Sequence, residues 1–420
     1  MTTARTIPEL SSETWALLAP SATSAVLLAA ARPAGSPGAA EDLLRALVAI
    51  SDWPGLQAEA LQQGMGGLLA RRIIAASPGW MPADVRAEFV ELRRNVELRA
   101  LRMVTQLLTI DGEFRAAAVP LLWLKGPVLS VQLWQDPGVR VCVDLDALVL
   151  QRDVPRARDV LERCGFEANL PYDWIGESVW LEGQHDLGFV HRETKLSFEL
   201  HWRVGPRFHE DSLPAEMLLE DVTQVPMLGR TVTAPSPASA TLIQAVHAAG
   251  HEWDRVEQVA VMAELLAGLG YGAQDRLGVR AAEHGCSRRL HIALLLAHHL
   301  AGASVSPGLL RAARRDETAK DLAAVAGARL LCLEPANERR RRSPGATDLA
   351  KGVLWQARGL DSSSATLRHL WRKLMTPAVT DWPTEEDHVG RRAGGLKVLV
   401  RRQKRLWAGL QPGHRKKRRS

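Results

Sequence analysis

Hydrophobic positions in the first part of the chain follow the period of a helix. From residue 41 to residue 118, apolar side chains recur every three or four positions, and Pro54 and the Ser77-Pro78-Gly79 turn interrupt the pattern. The clearest apolar stripes are Leu43, Leu44, Leu47 and Val48, and Leu101, Val104, Leu107 and Leu108. We predict a helical domain over residues 41–118, preceded by a flexible segment over residues 1–40.

The period changes to two after residue 119. Between Val139 and Leu150 the residues alternate, which predicts a strand with one face in the core. The predicted core face carries Val139, Val141, Val143 and Leu145, and the opposite face carries Arg140, Cys142, Asp144 and Asp146. A helix is predicted on each side of this strand, one ending near Trp134 and one running from Val154 to Cys164, before Gly165.

Two further β-like runs follow, at residues 185–191 and 196–204, and the polar turn at 192–194 predicts that they form a hairpin. Residues 119–233 therefore read as an α/β or α+β core. After Pro235-Ser236-Pro237 the pattern is helical over residues 234–333. Linker and helices are predicted over 334–390, with 334–365 as linker or loop, and residues 391–420 form a basic tail.

The positive net charge of the chain comes from its C-terminal tail. Residues 391–420 contain twelve Lys and Arg and no Asp or Glu, whereas the whole chain carries +6, so the other 390 residues carry −6. Such a tail can bind nucleic acid, an anionic surface or an acidic partner, or it can be a solvated, disordered terminus. Trp407 is its one aromatic residue, so no stacking platform for bases is visible.

Composition favours a soluble, cytoplasmic protein. Hydrophobic residues make up 46% of the chain and charged residues 24%, and no apolar run approaches the roughly 20 residues of a membrane helix. Residues 1–9 lack the pattern of a signal peptide. The four cysteines form no CxxC pair, which argues against a zinc knuckle or a disulfide framework.

Three carboxylates are candidates for a metal site. Asp144 and Asp146 are two apart on a predicted strand, so they leave the same face about 7 Å apart. Two acids that close repel each other unless a cation lies beside them, and hard oxygen ligands suit Mg²⁺. If the strand that carries Glu199 lies next to this one, Glu199 completes a site that can hold two metal ions. A DxD pair alone is common in sequences, so the prediction of a metal site rests on the combination of the pair with Glu199.

The same region offers candidates for phosphate binding. Lys125 and Gly126 lie where a short apolar run meets a predicted helix, and a glycine there lets backbone N–H groups approach a phosphate. Arg140 shares the strand face of the aspartates and can offset their charge or bind a triphosphate. His201 and Arg203 share a strand face with Glu199. They can belong to the site, or they can simply be strand residues that face solvent.

In their order along the chain these motifs resemble the uncharacterised nucleotidyltransferase family of the polymerase-β-like superfamily. The resemblance covers roughly residues 45–270, and its motifs are Leu124-Lys125-Gly126, Trp134 to Arg140, Asp144 to Val149, Glu199 to Arg203, and Val246 to Trp253. It implies an α+β fold in which a small mixed β-sheet nucleotidyltransferase core is flanked by large N- and C-terminal helical regions.

The resemblance also implies roles for individual residues. Asp144 and Asp146 would bind Mg²⁺ or Mn²⁺, and Glu199 would bind a metal ion or act as a base. Lys125 and Gly126 would replace the superfamily's Gly-Ser turn in nucleotide binding, together with Arg140 and His201. One departure concerns Val261, where the family usually carries an acidic residue.

Two histidines on the next helix have three interpretations. His247 and His251 are four residues apart and share a helix face, a spacing that can bind zinc, although no acid lies between them. They can instead line the cleft, or they can pack against a neighbouring helix. His185 is a weaker candidate for the lining of the site.

The leading hypothesis is a metal-dependent enzyme that transfers an NMP group from an NTP, such as ATP, to a hydroxyl or similar acceptor on a small molecule, peptide or protein. One alternative is a nucleotide-binding module with little turnover. Another is a nucleic-acid-associated protein that acts through its tail. The intact set of Asp144, Asp146 and Glu199 favours the enzyme.

Overall fold

Most of the chain folds into helices. A computed structural model describes residues 19–168, 181, 184–205, 211–333 and 346–375. Within these ranges the helices are α1 (Ala22–Ala31), α2 (Ala39–Leu47), α3 (Trp53–Gln62), α4 (Gly66–Ala76), α5 (Ala83–Ala116), α6 (Gly126–Trp134), α7 (Val154–Arg163), α8 (Ala215–Glu220), α9 (Pro237–Gly250), α10 (Val256–Ala267), α11 (Tyr271–Glu283), α12 (Ser287–Ala301), α13 (Pro307–Arg315), α14 (Glu317–Leu331), α15 (Ala346–Arg358) and α16 (Ser363–Met375).

The strands form a small mixed sheet and two short ribbons. They are β1 (Leu122–Trp123), β2 (Asp144–Leu148), β3 (Phe166–Ala168), β4 (Asp186–His191), β5 (Ser197–His201), β6 (Arg203–Val204), β7 (Leu213–Pro214), β8 (Val222–Met227) and β9 (Arg230–Pro235). The sheet order is β1-β2-β5-β4-β3, and β6 pairs with β7 and β8 with β9. The α+β fold expected from the sequence, with its small mixed sheet and helical flanks, is confirmed.

The central pair of the sheet is parallel and carries the candidate acids. β2 runs parallel to β5, with Asp146 opposite Glu199 and Leu148 opposite His201, while β4 is antiparallel to β5 as the predicted hairpin requires. Side chains alternate between the two faces of a strand, so Phe198 and Leu200 enter the core while Glu199 faces away from it. The condition placed on Glu199, that its strand lies beside that of the aspartates, is met.

The 34-residue helix α5 joins two hydrophobic cores. Its first half contributes Phe89, Leu92 and Val96 to a large helical core, and its second half contributes Leu107 and Phe114 to a core beneath the sheet. The helical core includes residues from α1, α4, α9, α10, α12 and α14. The helices before and after the sheet therefore bury their apolar faces together.

The strand predicted from Val139 begins only at Asp144, so that part of the prediction is wrong. Backbone groups before Asp144 bond to side chains instead of to a neighbouring strand: Arg93 donates to the carbonyl of Gly138, and the N–H of Arg140 donates to Ser130 Oγ. Without a strand partner the alternation is lost, and Val143, expected in the core, is 55% exposed.

Two other segments differ from their predictions. Helix α1 lies within the segment predicted to be flexible, and it is apolar on all sides and largely buried among other helices. Helix α15 lies within the predicted linker or loop, where Trp355 is buried and Gln356 donates to the carbonyls of Ala249 and Gly250. The β8–β9 hairpin was not predicted. The basic tail, residues 391–420, lies outside the described residues.

No helix among the described residues combines the length and apolar character that crossing a membrane requires.

Gly67 allows helix α4 to approach the loop before β2 closely. A Cβ at this position would clash with the carbonyl oxygen of Gly138 and lie 2.6 Å from that of Val139. We expect Gly67→Ala to lower the free energy of unfolding by about 1–3 kcal/mol, measured by urea denaturation. Gly112→Ala is the control, because a Cβ there meets no atom within 4 Å, and it should be neutral or stabilising by up to about 1 kcal/mol. Equal effects of the two substitutions would contradict the close approach.

Candidate active site

The turn between β1 and α6 brings Lys125 and Gly126 to the ends of the central strands. Gly126 has a φ of +65°, a left-handed conformation that glycine adopts without strain, and an added Cβ would lie 3.6 Å from the carbonyl oxygen of Asp144. This turn directs Lys125 across the sheet, and its Nζ lies 2.9 Å from Asp146 Oδ1. The strand-to-helix junction predicted from the sequence is therefore present beside the aspartates.

Asp146, Glu199 and His201 form a compact cluster of ligand groups. One ligand atom from each lies within 4.8 Å of the other two. His201 Nε2 is 3.3 Å from Asp146 Oδ1 and 3.4 Å from Glu199 Oε2. Asp144 lies two residues earlier on β2, beside this cluster and not within it.

The two aspartates titrate in opposite directions. Burial, and then repulsion from Asp146, raises the pKa of Asp144 to about 6. Burial alone would raise the pKa of Asp146, but Lys125 and the hydrogen bond from His201 hold it below its usual range. Asp146 is therefore the permanent negative charge of the pair, and a cation beside the pair would favour ionisation of Asp144 as well.

The histidines of the site carry different charges. Burial lowers the pKa of His201, but its hydrogen bonds to Asp146 and Glu199 outweigh burial and raise the pKa to about 9. Burial and the positive charge of Lys125 hold the pKa of His247 well below its ordinary value. The Lys125 ammonium has no lone pair, so at 3.3 Å it donates to His247 Nδ1, and the proton of neutral His247 lies on Nε2.

Arg140 is held by a glutamate that the sequence reasoning overlooked. Its Nε lies 2.5 Å from Glu257 Oε1, and the two side chains are 15% and 13% exposed. Glu257 is on α10, one turn before Val261, and Val261 is fully buried in the helical core. The acidic side chain that this helix presents to the cleft is thus Glu257, four positions before the residue at which the family's acid was expected.

Two cavities meet at Lys125, His247 and His251. The first, which we call the acidic cavity, has a volume of about 210 Å³, and its lining includes Gly126, Arg140, Asp144, Asp146, Glu199, Asp254, Arg255 and Glu257. The second, the histidine cavity, has a volume of about 300 Å³, and its lining includes His185, His201, Asp211, Gly250, Arg289, Gln356 and His369. Because His247 and His251 line both cavities, their position agrees with the cleft-lining interpretation.

Several residues in these walls were not identified from the sequence. Arg289, Gln356 and His369 lie on helices for which no role in the site was considered. Glu257 stands four residues after the Trp253 that ends the family-like motif, and its acidic character next to a buried helix face was the available signal.

The contribution of the Arg140–Glu257 ion pair can be measured by a double-mutant cycle with Arg140→Gln and Glu257→Gln. Because both side chains are largely buried, we expect a coupling energy of about 1–3 kcal/mol in urea unfolding. The exposed pair Arg45–Asp42, with side chains 77% and 31% accessible, is the control and should couple by less than about 0.5 kcal/mol. A coupling near zero for Arg140 and Glu257 would show that α10 does not hold this arginine.

Comparison with known proteins identifies the family. A family model described as "uncharacterised nucleotidyltransferase" matches residues 50–302, which is more than half of the chain. No curated protein and no solved structure matches the chain. The match includes the turn with Lys125, the strands of Asp144, Asp146 and Glu199, and the helix of His247. The chain belongs to the uncharacterised nucleotidyltransferase family and is a nucleotidyltransferase.

Proposed function

We propose that this nucleotidyltransferase moves an NMP group from an NTP to a hydroxyl or similar acceptor, in a reaction that depends on a divalent metal ion. The observation that carries the proposal is the register of β2 against β5, which brings Asp146 and Glu199 together with His201 beside the Lys125 ammonium. The carboxylates and the Lys125 ammonium line the same cleft. Phosphoryl transfer depends on such positioning of charged groups around the reacting phosphate.

The donor set fits a divalent ion. Asp146 and Glu199 offer carboxylate oxygens and His201 an imidazole nitrogen, all within 4.8 Å, and Asp144 adds a carboxylate on the same strand. Carboxylates suit Mg²⁺ and Mn²⁺. When bound, such an ion would stabilise the charge of the pentacoordinate phosphorus in the transition state and would polarise phosphate oxygens. Asp144, Asp146 and Glu199 are the proposed ligands, and His201 either joins them or orients Asp146.

The other residues handle the nucleotide and the acceptor. Lys125 brings a full positive charge to the acidic cavity, and the N–H groups of Gly126 and Val128 at the start of α6, where Pro127 has none, add the positive end of a helix dipole. Arg140 contributes a guanidinium whose direction is set by Glu257. Glu199, whose side chain is 42% accessible, can accept the proton of an acceptor hydroxyl that approaches the cluster.

The first test is thermal unfolding of the wild type and of the Asp144→Asn/Asp146→Asn variant, each with an NTP and Mg²⁺. Ligand at about 100 times its dissociation constant should stabilise the wild type by about 2.7 kcal/mol. The variant lacks both negative charges of β2 and should lose the metal-dependent part of this shift. Circular dichroism first establishes that the variant folds, because Asp146 lies between Lys125 and His201. An identical metal-dependent shift in wild type and variant would remove the central claim.

A second test concerns the rate. Glu199→Gln keeps the shape of the side chain but removes its charge and basicity, so the rate of pyrophosphate release should fall by about 100-fold or more. Glu167→Gln on β3, where the glutamate pairs with Arg192 on the exposed side of the sheet, is the matched control and should act like the wild type. Wild-type kinetics for Glu199→Gln would reduce Glu199 to a structural role and favour a nucleotide-binding module.

A further inference from the structure

The histidine cavity borders the candidate metal cluster and shares Lys125, His247 and His251 with the acidic cavity. His201, whose Nε2 lies between Asp146 and Glu199, is part of its wall, and so are Lys125 and His247. The acidic cavity contains the carboxylates and the N-terminus of α6. A triphosphate in the acidic cavity would therefore lie next to the histidine cavity, with Lys125, His247 and His251 at the boundary between them.

Part of this wall comes from outside the family match. The match ends at residue 302, whereas Gln356 and His369 lie on α15 and α16. Gln356 fixes α15 against α9 by donating to the carbonyls of Ala249 and Gly250, each at 2.8 Å. His369 is 2% exposed, so the second C-terminal helix presents it inward and not to solvent. Two lining residues of the cavity therefore come from helices that the family match does not cover.

The wall is rich in hydrogen-bond donors. The amide N–H groups of Gln356 are taken by the carbonyls of Ala249 and Gly250, and seven other lining side chains carry N–H groups, namely Lys125, His185, His201, His247, His251, Arg289 and His369. Asp211 is the one carboxylate among the lining residues that the structure describes, and it is paired with Arg289 within the wall. The Nη1 of Arg289 makes two long contacts, at 3.4 Å to Gln356 Oε1 and at 3.5 Å to the carbonyl of Val246.

From this geometry we infer that the histidine cavity binds the acceptor, and that the acceptor is a compact hydroxyl compound with an acidic group. An ionised carboxylate or phosphate only accepts hydrogen bonds, so it complements a wall in which donors exceed acceptors. A volume of about 300 Å³ lies at the small end of ligand pockets, which fits a small molecule or the end of a longer one. The inference rests on the proposed function.

The transfer step is balanced without a further reactant. The acceptor hydroxyl oxygen forms a bond to the α-phosphorus of the NTP, and the bond from that phosphorus to the bridging oxygen breaks, so pyrophosphate leaves with the electron pair. The hydroxyl proton passes to Glu199 or to water. The acidic group of the acceptor takes no part in this exchange and serves to orient the hydroxyl.

Gly250 offers a way to fill the cavity with little effect on the fold. It is the last residue of α9 and lines the histidine cavity but not the acidic cavity, and a Cβ there meets no atom within 4 Å. Gly250→Leu therefore adds bulk beside the cavity, and the Cβ of the new side chain would meet no atom within 4 Å. Gly272→Leu on α11 is the matched control, because Gly272 is an exposed helical glycine that lines neither cavity.

The experiment is calorimetric titration of the full chain, with Mg²⁺ and a non-hydrolysable NTP analogue, using acids and their neutral partners. The pairs are glycerate with glyceramide, N-acetylserine with its amide, and glycerol 3-phosphate with glycerol, so that carboxylate and phosphate are tested separately. At least one acid should bind at least about tenfold more tightly than its neutral partner. Gly250→Leu should weaken the binding of that acid by about tenfold or more, and Gly272→Leu should leave the binding unchanged.

Several results would overturn the inference. They are equal binding of every acid and its neutral partner, acid binding that Gly250→Leu leaves unchanged, and no acid binding up to about 10 mM. Titration of the NTP analogue alone separates this failure from failure of the proposed function. If the analogue binds and the acids do not, only the inference fails. If the acids bind in a Gly250-dependent manner and no NTP analogue binds, the cavity is an acid site and the transferase proposal fails.

Discussion

The parallel pairing of β2 with β5 is the constraint on which the site depends. Side chains alternate along a strand, so a shift of one residue in this register would turn either Asp146 or Glu199 into the core. The register is held on the core side by Leu145, Phe198 and Leu200, which are fully buried. The same packing that stabilises the sheet thus sets the distance between the acids. The local chemistry is a consequence of how the hydrophobic face is filled.

Charge compensation explains why so many ionisable groups can lie together in a largely buried cleft. Asp146 accepts from Lys125 and His201, and Arg140 is paired with Glu257, so these desolvated charges each have an opposite neighbour. Asp144 is the exception, and burial, followed by repulsion from the negative charge of Asp146, raises its pKa. The lining of the acidic cavity therefore contains an excess of carboxylates over cationic side chains. That excess is the physical basis for expecting a cation there.

Much of the fold could be predicted because its signals are local. The α6 and α7 helices and the β4–β5 hairpin follow from periodicity and turn residues, and the adjacency of the Asp146 and Glu199 strands was correctly stated as a condition. Val143 was misplaced because period two requires a neighbouring strand, and none pairs with that segment in the described part of the chain. His369 could not be predicted as a site residue, because only the packing of α16 brings it to the cleft. For Glu257 the available signal was its acidic character next to a buried helix face, but only the packing of α10 shows that it lines the cleft.

The shared helical core has a consequence for how the chain can be divided. Helix α1 begins before the family match and α14 ends after it, yet both contribute buried residues to the same core as α10 and α12. The N–H of Ser21 even donates to the carbonyl of Leu331, which joins the beginning of α1 to the end of α14. A fragment cut at residues 50 and 302 would expose the faces that these helices cover. The segment that the family model recognises is therefore smaller than the unit that folds cooperatively. A fragment intended for study would have to include the helices on both sides of that segment.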